Sequence, residues 1–326
     1  MASTTTTATI KVPPRDLLRI ADLDSGGLTD LLDLAQAMKD NPIGWLDSHP
    51  GEILACYFAK RSTDTRVSFE SAAFRLGMLP VMLSPDEFQL GRGEPIADTA
   101  RVLSGYASAI VIRTFAQADV QEVAASTSVP VINALTDEHH PCQALADLLT
   151  LRERFGALKG LTLAYVGGGN NVAHSLMEAG ALAGMNIVVA APHGYEPDTA
   201  ITVQAHEVAH RNGGSIRVSS DIIDAVAGAQ AIYTDVWVSM GQDTEQEKRI
   251  QDFAGFQVDD QLMTRAAADA VFMHCLPAHR GQEVTAEVID GYRSVVFTQA
   301  ENRLATEQAV IQTLLVDRRR TADGGA

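Results

Sequence analysis

Residues 161–190, LTLAYVGGGNNVAHSLMEAGALAGMNIVVA, hold a βαβ unit and decide the fold class. The apolar, β-branched run Leu161–Val166 predicts a buried strand, and apolar residues at helical spacing predict a helix over Val172–Ala183. Gly167, Gly168 and Gly169 allow the tight turn between them. Asn186–Ala190 then predicts a second strand, parallel to the first because a crossover helix carries the chain back. The same alternation extends outward. Strands are predicted at Ile53–Phe58, Ala109–Arg113, Val129–Asn133, Ala231–Asp235, Val271–His274 and Ser294–Thr298. Helices are predicted at Thr65–Leu76, Ile96–Gly105, Gln143–Phe155, Thr199–Arg211, Asp259–Ala268 and Glu301–Arg318. This βαβα order predicts an α/β fold with parallel sheets covered by helices on both faces.

A chain of 326 residues is longer than one core usually serves. Two doubly wound domains with a cleft between them are therefore expected, over residues 1–148 and 149–326. The division falls in or just after the helix that begins near Pro141. The C-terminal helix, about 301–318, is expected to pack back on the first domain.

Composition narrows the function. The formal charge of −16 argues against a nucleic-acid partner. An anionic substrate would need local arginines to overcome that field. No apolar run approaches the ~20 residues of a membrane span. The Thr-rich start, MASTTTTATIKVPPR, lacks a signal-type hydrophobic segment and reads as a frayed arm rather than a presequence. Three cysteines (Cys56, Cys142, Cys275) suit a reducing cytoplasm, and the ordinary reading of each is a small buried hydrophobe.

In open α/β sheets, ligands lie outside the carboxyl ends of the strands. The segments that follow the predicted strands are Ser62–Arg66, Arg113, His140, Gly167–Asn171, Asp235–Gly241 and Cys275. Nearly every chemically interesting side chain thus lands on one edge, and two such edges facing each other make an interdomain site.

Each segment carries two readings. Ser62-Thr-Asp-Thr-Arg66 opens a helix and is either an anion site or a plain Ser/Thr cap. Arg113 ends an apolar strand and needs an anion, a carbonyl or a structural salt bridge. The cluster His139-His140-Pro141-Cys142-Gln143 invites zinc, but its spacing fits no standard ligand set; a neutral His donating to a carbonyl fits better. Val166-Gly-Gly-Gly-Asn-Asn171 fails the dinucleotide fingerprint at Val172 and instead presents Asn171 to a polar ligand. Asp235, ahead of Ser239-Met240-Gly241, either receives a cationic amine or caps its turn. In His274-Cys-Leu-Pro-Ala-His-Arg-Gly281 a strand delivers a thiol to the edge, with two His and an Arg beside it.

Taken in this order, from about Phe58 to Arg303, these motifs resemble the aspartate/ornithine carbamoyltransferase superfamily, and within it the ornithine carbamoyltransferases. HPCQ at 140–143, DVWVSMG at 235–241 and HCLPAHRG at 274–281 carry the resemblance. It implies a phosphate-binding turn at Ser62, Thr63 and Thr65. It implies carbamoyl-phosphate contacts from Arg113, His140, Gln143, Cys275, Leu276 and Arg303, and from Gln89 reaching a neighbouring subunit. Leu135, Asn171, Asp235, Ser239 and Met240 are implied for L-ornithine. Catalysis is implied to rest on Cys275, Asp235, Arg113 and His140, with no cofactor and no metal. The enzyme is expected to be a cytoplasmic homotrimer making citrulline for arginine biosynthesis or urea-cycle-type chemistry.

One position departs from the family motif. The turn normally reads Ser-Thr-Arg-Thr-Arg, and Asp64 here replaces an arginine expected to contact phosphate. Either the carboxylate faces the donor and repels it, or it turns away to pair with Lys60, Arg61 or Arg66, leaving the phosphate to Arg66, Arg113 and Arg303. Two alternatives follow: a transferase for another donor or acceptor, and a paralogue that has lost catalysis and binds amino acids or regulates a partner.

Overall fold

The computed structural model describes residues 15–60, 62–84, 95–238 and 245–323, with side chains to residue 316. The first sheet holds β1 (Ile53–Phe58), β2 (Leu79–Leu83), β3 (Ala109–Arg113) and β4 (Val131–Leu135), all parallel, in the order β2-β1-β3-β4. The second holds β5 (Thr162–Val166), β6 (Asn186–Ala190), β7 (Ser215–Ser219), β8 (Ala231–Thr234) and β9 (Val271–His274), in the order β7-β6-β5-β8-β9. Each sheet grows outward from its first strand and then reverses to that strand's other side. The reversal lies between β1 and β3 in one sheet and between β5 and β8 in the other. Such switch points leave a crevice at the strands' carboxyl ends.

Helices cover the sheets: α1 (Ser25–Asp40), α2 (Thr63–Arg75), α3 (Ile96–Ser104), α4 (Gln117–Ser126), α5 (Pro141–Phe155), α6 (Asn171–Ala183) and α7 (Thr199–Asn212). The remaining ones are α8 (Ile222–Val226), α9 (Gln246–Asp252), α10 (Asp260–Met263), α11 (Ala286–Ile289) and α12 (Val296–Asp323). Pro141 at the first position pre-sets the start of α5. Every residue from Pro141 to Leu151 is buried, since α5 lies between α1, α6 and α12. As expected, α12 crosses back to pack on α1, α2 and α5 of the first domain. One apolar cluster therefore runs through both domains, from Leu54 and Phe69 to Leu176 and Ile187.

Several expectations move. The fourth strand lies two residues later than expected, at Val131–Leu135, just past Pro130. Ser294–Thr298 is not a strand: Ser294 makes a single bridge to Phe272, and Val296 already begins α12. The helix expected over Asp259–Ala268 is only the short α10. β2, β7, α1 and α4 were not expected. Gly169 stands where a Cβ would come within 2.1 Å of the Pro197 nitrogen, so the turn after β5 admits no side chain.

Candidate active site

One side of the crevice grows from the first switch point. Ser62 caps α2, its Oγ accepting the Thr65 amide at 3.2 Å, so the plain cap reading holds at that atom. The next turn does more. The buried Thr65 hydroxyl oxygen accepts from Arg113 Nη1 at 3.2 Å and from Arg303 Nη2 at 3.4 Å. Arg303 also donates to Gln143 Oε1 at 2.9 Å and holds Glu307 through two nitrogens at 2.7 and 3.0 Å. Two guanidiniums on one hydroxyl repel each other, and Arg113 keeps its Nε buried without a hydrogen bond among the described residues. Burial, and next the Arg303 charge, bring Arg113 down to about 10. It stays protonated at neutral pH, and an anion would relieve both strains.

His140 sits at the N-cap of α5, with its amide donating to Ser175 Oγ at 2.8 Å and its Nδ1 buried and without a hydrogen-bond partner among the described residues. Burial, then Arg303 and Arg113, hold its pKa well below the usual histidine value. The imidazole is neutral and suits a carbonyl oxygen rather than a phosphate. His139, its neighbour, faces away: its Nδ1 lies 3.7 Å from buried Glu178.

Thr63 and Asp64 are exposed on the first turn of α2. Lys60 is taken by Asp137 and lies over the Phe115 ring, while Arg66 is taken by Glu70 at 3.0 Å. Neither pairs with Asp64, Arg66 is turned to its own exposed helix face, and Arg61 lies outside the described residues. Among the described residues Asp64 forms no hydrogen bond or ion pair, and its charge is felt at Arg113.

The other side grows from the second switch point. Asp235 follows β8 and is 7% exposed. Its carboxylate accepts the Cys275 thiol at 3.0 Å, Asn170 Nδ2 at 2.7 Å and the Val236 amide at 2.8 Å. Burial, and next Asp235, push the Cys275 thiol well above its ordinary value, so it is an S–H donor and not a thiolate. Asn171 donates to the Thr136 carbonyl at 2.6 Å, tying α6 to the first domain beside Leu135. Asn170, which the motif reading passed over, is the asparagine that reaches Asp235; it also caps α6 and accepts from Tyr165. Gln89, Ser239 and Met240 lie outside the described residues.

The segment after β9 is organised differently from the sequence expectation. Its two histidines and its arginine do not surround the thiol. His274 Nδ1 accepts the Leu276 amide at 2.9 Å, and its Nε2 lies 3.3 Å from buried Glu283. Glu283 also accepts the His279 amide at 2.5 Å, while the His279 ring is mostly exposed and Arg280 is bound to Asp290. These groups build the loop. Leu276 turns it with φ 56°, uncommon for a branched residue, ahead of a cis bond to Pro277. Ligand atoms of Asp235, His274 and Cys275 do come within 4.8 Å of one another. Two of the three are already joined by the thiol hydrogen bond.

The structure thus gathers Thr65, Arg113, His140, Gln143 and Arg303 on one wall and Asn170, Asp235 and Cys275 on the other. Known proteins match the chain in two parts. The family model described as aspartate/ornithine carbamoyltransferase, carbamoyl-P binding domain, matches residues 15–153, and that of the Asp/Orn binding domain matches residues 159–314. A protein of Symbiobacterium thermophilum named ornithine carbamoyltransferase is 52% identical over 92% of this chain and 98% of its own. Its namesake in Oceanobacillus iheyensis is 50% identical over 93% of this chain and 95% of its own. The solved ornithine carbamoyltransferase from Pyrococcus furiosus superposes with a TM-score of 0.89 at 49% identity, covering 93% of this chain and 97% of that one. With both halves matched, and the two walls lying where the matched domains meet, this chain belongs to the aspartate/ornithine carbamoyltransferase family.

Proposed function

We propose that the cleft transfers the carbamoyl group of carbamoyl phosphate to the side-chain amine of L-ornithine, giving L-citrulline and phosphate. The observation that carries this is the pairing of opposites across the cleft. Two buried guanidiniums share Thr65, and a buried carboxylate holds a protonated thiol. Relatives at about half identity over nearly the whole chain bear the name of this activity, which disfavours a paralogue without catalysis.

Ser62, Thr63, Thr65, Arg113 and Arg303 bind the phosphate in this reading, with Gln89 supplied by a neighbouring subunit. The ornithine amine has a pKa near that of Lys, about 10.4, and attacks only when neutral. Asp235 and the Cys275 sulfur orient it, and Leu276 shapes the turn beside it. Leu135, Asn171, Ser239 and Met240 hold the amino-acid end. As the amine attacks, charge grows on the carbamoyl oxygen, and Arg113, neutral His140 and Thr65 stabilise it, about 3–4 kcal/mol for each well-placed donor. Gln143 holds the carbamoyl nitrogen. The departing phosphate takes the amine proton, so neither a cofactor nor a cysteine acyl intermediate is required.

On this reading residues 1–148 form the donor domain and 149–326 the acceptor domain. A homotrimer is favoured by the apolar residues Val67, Phe74 and Leu79, exposed on α2 and on the neighbouring edge strand β2. Three free cysteines favour a reducing cytoplasm, and citrulline as product suits arginine biosynthesis. The test is colorimetric citrulline formation by the purified protein with L-ornithine, lysine or putrescine as acceptor. Product from ornithine alone is expected, and none over a wide donor range would sink the reading.

A further inference from the structure

Between the two walls lies a buried polar group that the chemistry above does not use. Asp147 is on α5, fully buried, one turn beyond Gln143. Its Oδ1 accepts from Gln143 Nε2 at 2.8 Å and from Gln299 Nε2 at 2.7 Å. Gln299, on α12 and also fully buried, donates to the Tyr233 hydroxyl at 3.0 Å and accepts the His274 amide at 3.1 Å. His274 is the residue before Cys275. On the other side, Gln143 accepts from Arg303. One unbroken run of hydrogen bonds thus leads from the donor-side guanidinium to the strand end that carries the acceptor-side thiol.

This arrangement is expensive for a packing device. Asp147 Oδ2 is buried with no hydrogen-bond partner among the described residues. Burial lifts the carboxyl to about 7 despite its bonds from Gln143, Gln299 and Tyr233. A buried carboxyl with one unsatisfied oxygen destabilises the fold, so its presence at a joint between domains asks for a role.

We propose that the Asp147–Gln299 pair is a positioning joint that sets the Cys275 strand end in register with the Gln143–Arg303 donor contacts. Neither side chain touches substrate. The pair acts through Gln143 on one side and through Tyr233 and the His274 amide on the other. This rests on the carbamoyl-transfer reading, whose own failure would appear as a wild-type protein that makes no citrulline.

The test compares wild type with Asp147→Ala, Asp147→Asn, Gln299→Ala and the Asp147→Ala/Gln299→Ala double variant. The measurements are kcat, both KM values, donor binding by calorimetry with carbamoyl phosphate, and Tm. A misplacement of ~1 Å costs about 100-fold in rate, so Gln299→Ala should lower kcat by about 30- to 100-fold. It should leave donor affinity within about twofold, because the Gln143–Arg303 contact persists. Asp147→Asn retains an oxygen for both amides and should recover kcat to within about fivefold of wild type. The double variant should fall no more than about threefold below the worse single one, as expected when two groups act in one unit. Lowered Tm with unchanged kcat in Gln299→Ala would reduce the pair to packing and overturn the proposal. So would additive losses in the double variant, or an Asp147→Asn as slow as Asp147→Ala. Should Asp147→Ala fail to fold, Gln299→Ala and Asp147→Asn still decide.

Discussion

Replacing Asp64 by arginine should tighten donor binding while slightly weakening the fold. Asp64 is exposed on the first turn of α2, one residue before Thr65, and its charge reaches Arg113. Taking ~6–8 Å to the phosphate and a water-rich effective dielectric of ~40–80, each unit charge product is worth about 0.5–1.4 kcal/mol. Reversal changes the local charge by two, opposite a phosphate of about −1.5 to −2. Physiological salt, with a Debye length of about 8 Å, removes roughly half of the effect. The expected result is a carbamoyl-phosphate KM about 4- to 100-fold lower, with ornithine KM unchanged. The gain should shrink between 0.05 and 0.5 M salt, because the site is open to water. Asp64 also suits the positive end of α2, an interaction of about 0.3–1 kcal/mol, so Tm should fall by about 1–3 °C. Initial-rate citrulline assays at several salt concentrations, with thermal melts beside them, read both quantities. A donor KM within twofold of wild type would show that Asp64 does not face the phosphate, and a raised KM would mean that it assists binding.

Cys275→Ser should retain turnover to within about 100-fold, since the group is an orienting donor and misplacement alone has that scale; a loss beyond about 10⁴-fold would indicate a covalent thiolate. Wild-type Cys275 should also alkylate slowly with iodoacetamide at pH 7.5, because its thiol stays protonated. Glu178 is raised from 4.5 to about 7 by burial, so between those values the folded state binds a proton that the unfolded chain lacks. Its contribution therefore falls as pH rises from about 5 to 8, by up to about 3 kcal/mol at 1.36 kcal/mol per pKa unit. Glu178→Gln should accordingly raise Tm relative to wild type at pH 8 and not at pH 5, and equal differences at both would refute the assignment. Arg303→Met leaves Glu307 buried without its cation and should cost about 3–5 kcal/mol in urea unfolding, besides weakening carbamoyl-phosphate binding.

The strands legible in the sequence are those buried on both faces. β1, β3, β5, β6, β8 and β9 read as continuous apolar runs because helices cover them. The two missed strands, β2 and β7, each lie at one sheet edge; β4 and β9, at the opposite edges, are buried apolar runs and were legible. Leu79-Pro80 carries a proline that suits only an edge, and Ser215–Ser219 alternates with polar residues. Ser294–Thr298 failed in the opposite sense: Val295, Val296, Phe297 and Thr298 favour a strand locally, but α12, which packs on α1, α2 and α5, takes Val296, Phe297 and Thr298 into its first turn. At the site, residues at strand ends could be placed one by one. The contacts joining them could not. Asp147 and Gln299 stand 152 positions apart, and each alone looks like an ordinary helix residue. Asn170 was hidden behind Asn171, since adjacent asparagines at a helix start differ only once the cap geometry exists. His279 and Arg280 show the reverse error, chemically loud side chains that the chain direction turns outward.

The path of α12 also sets an order of events during synthesis. Arg303 completes the donor wall, yet it follows α5 by almost half the chain. At about 5–20 residues per second, roughly 10–30 s separate the emergence of the first sheet from that of its last functional arginine. Through that interval the nascent first domain presents an uncovered apolar seam where Val310, Ile311, Leu314 and Leu315 will later lie. On the proposed reading, the half assigned to phosphate is therefore the last to become competent, and a ribosome-bound intermediate would hold its second sheet before it could hold its first substrate.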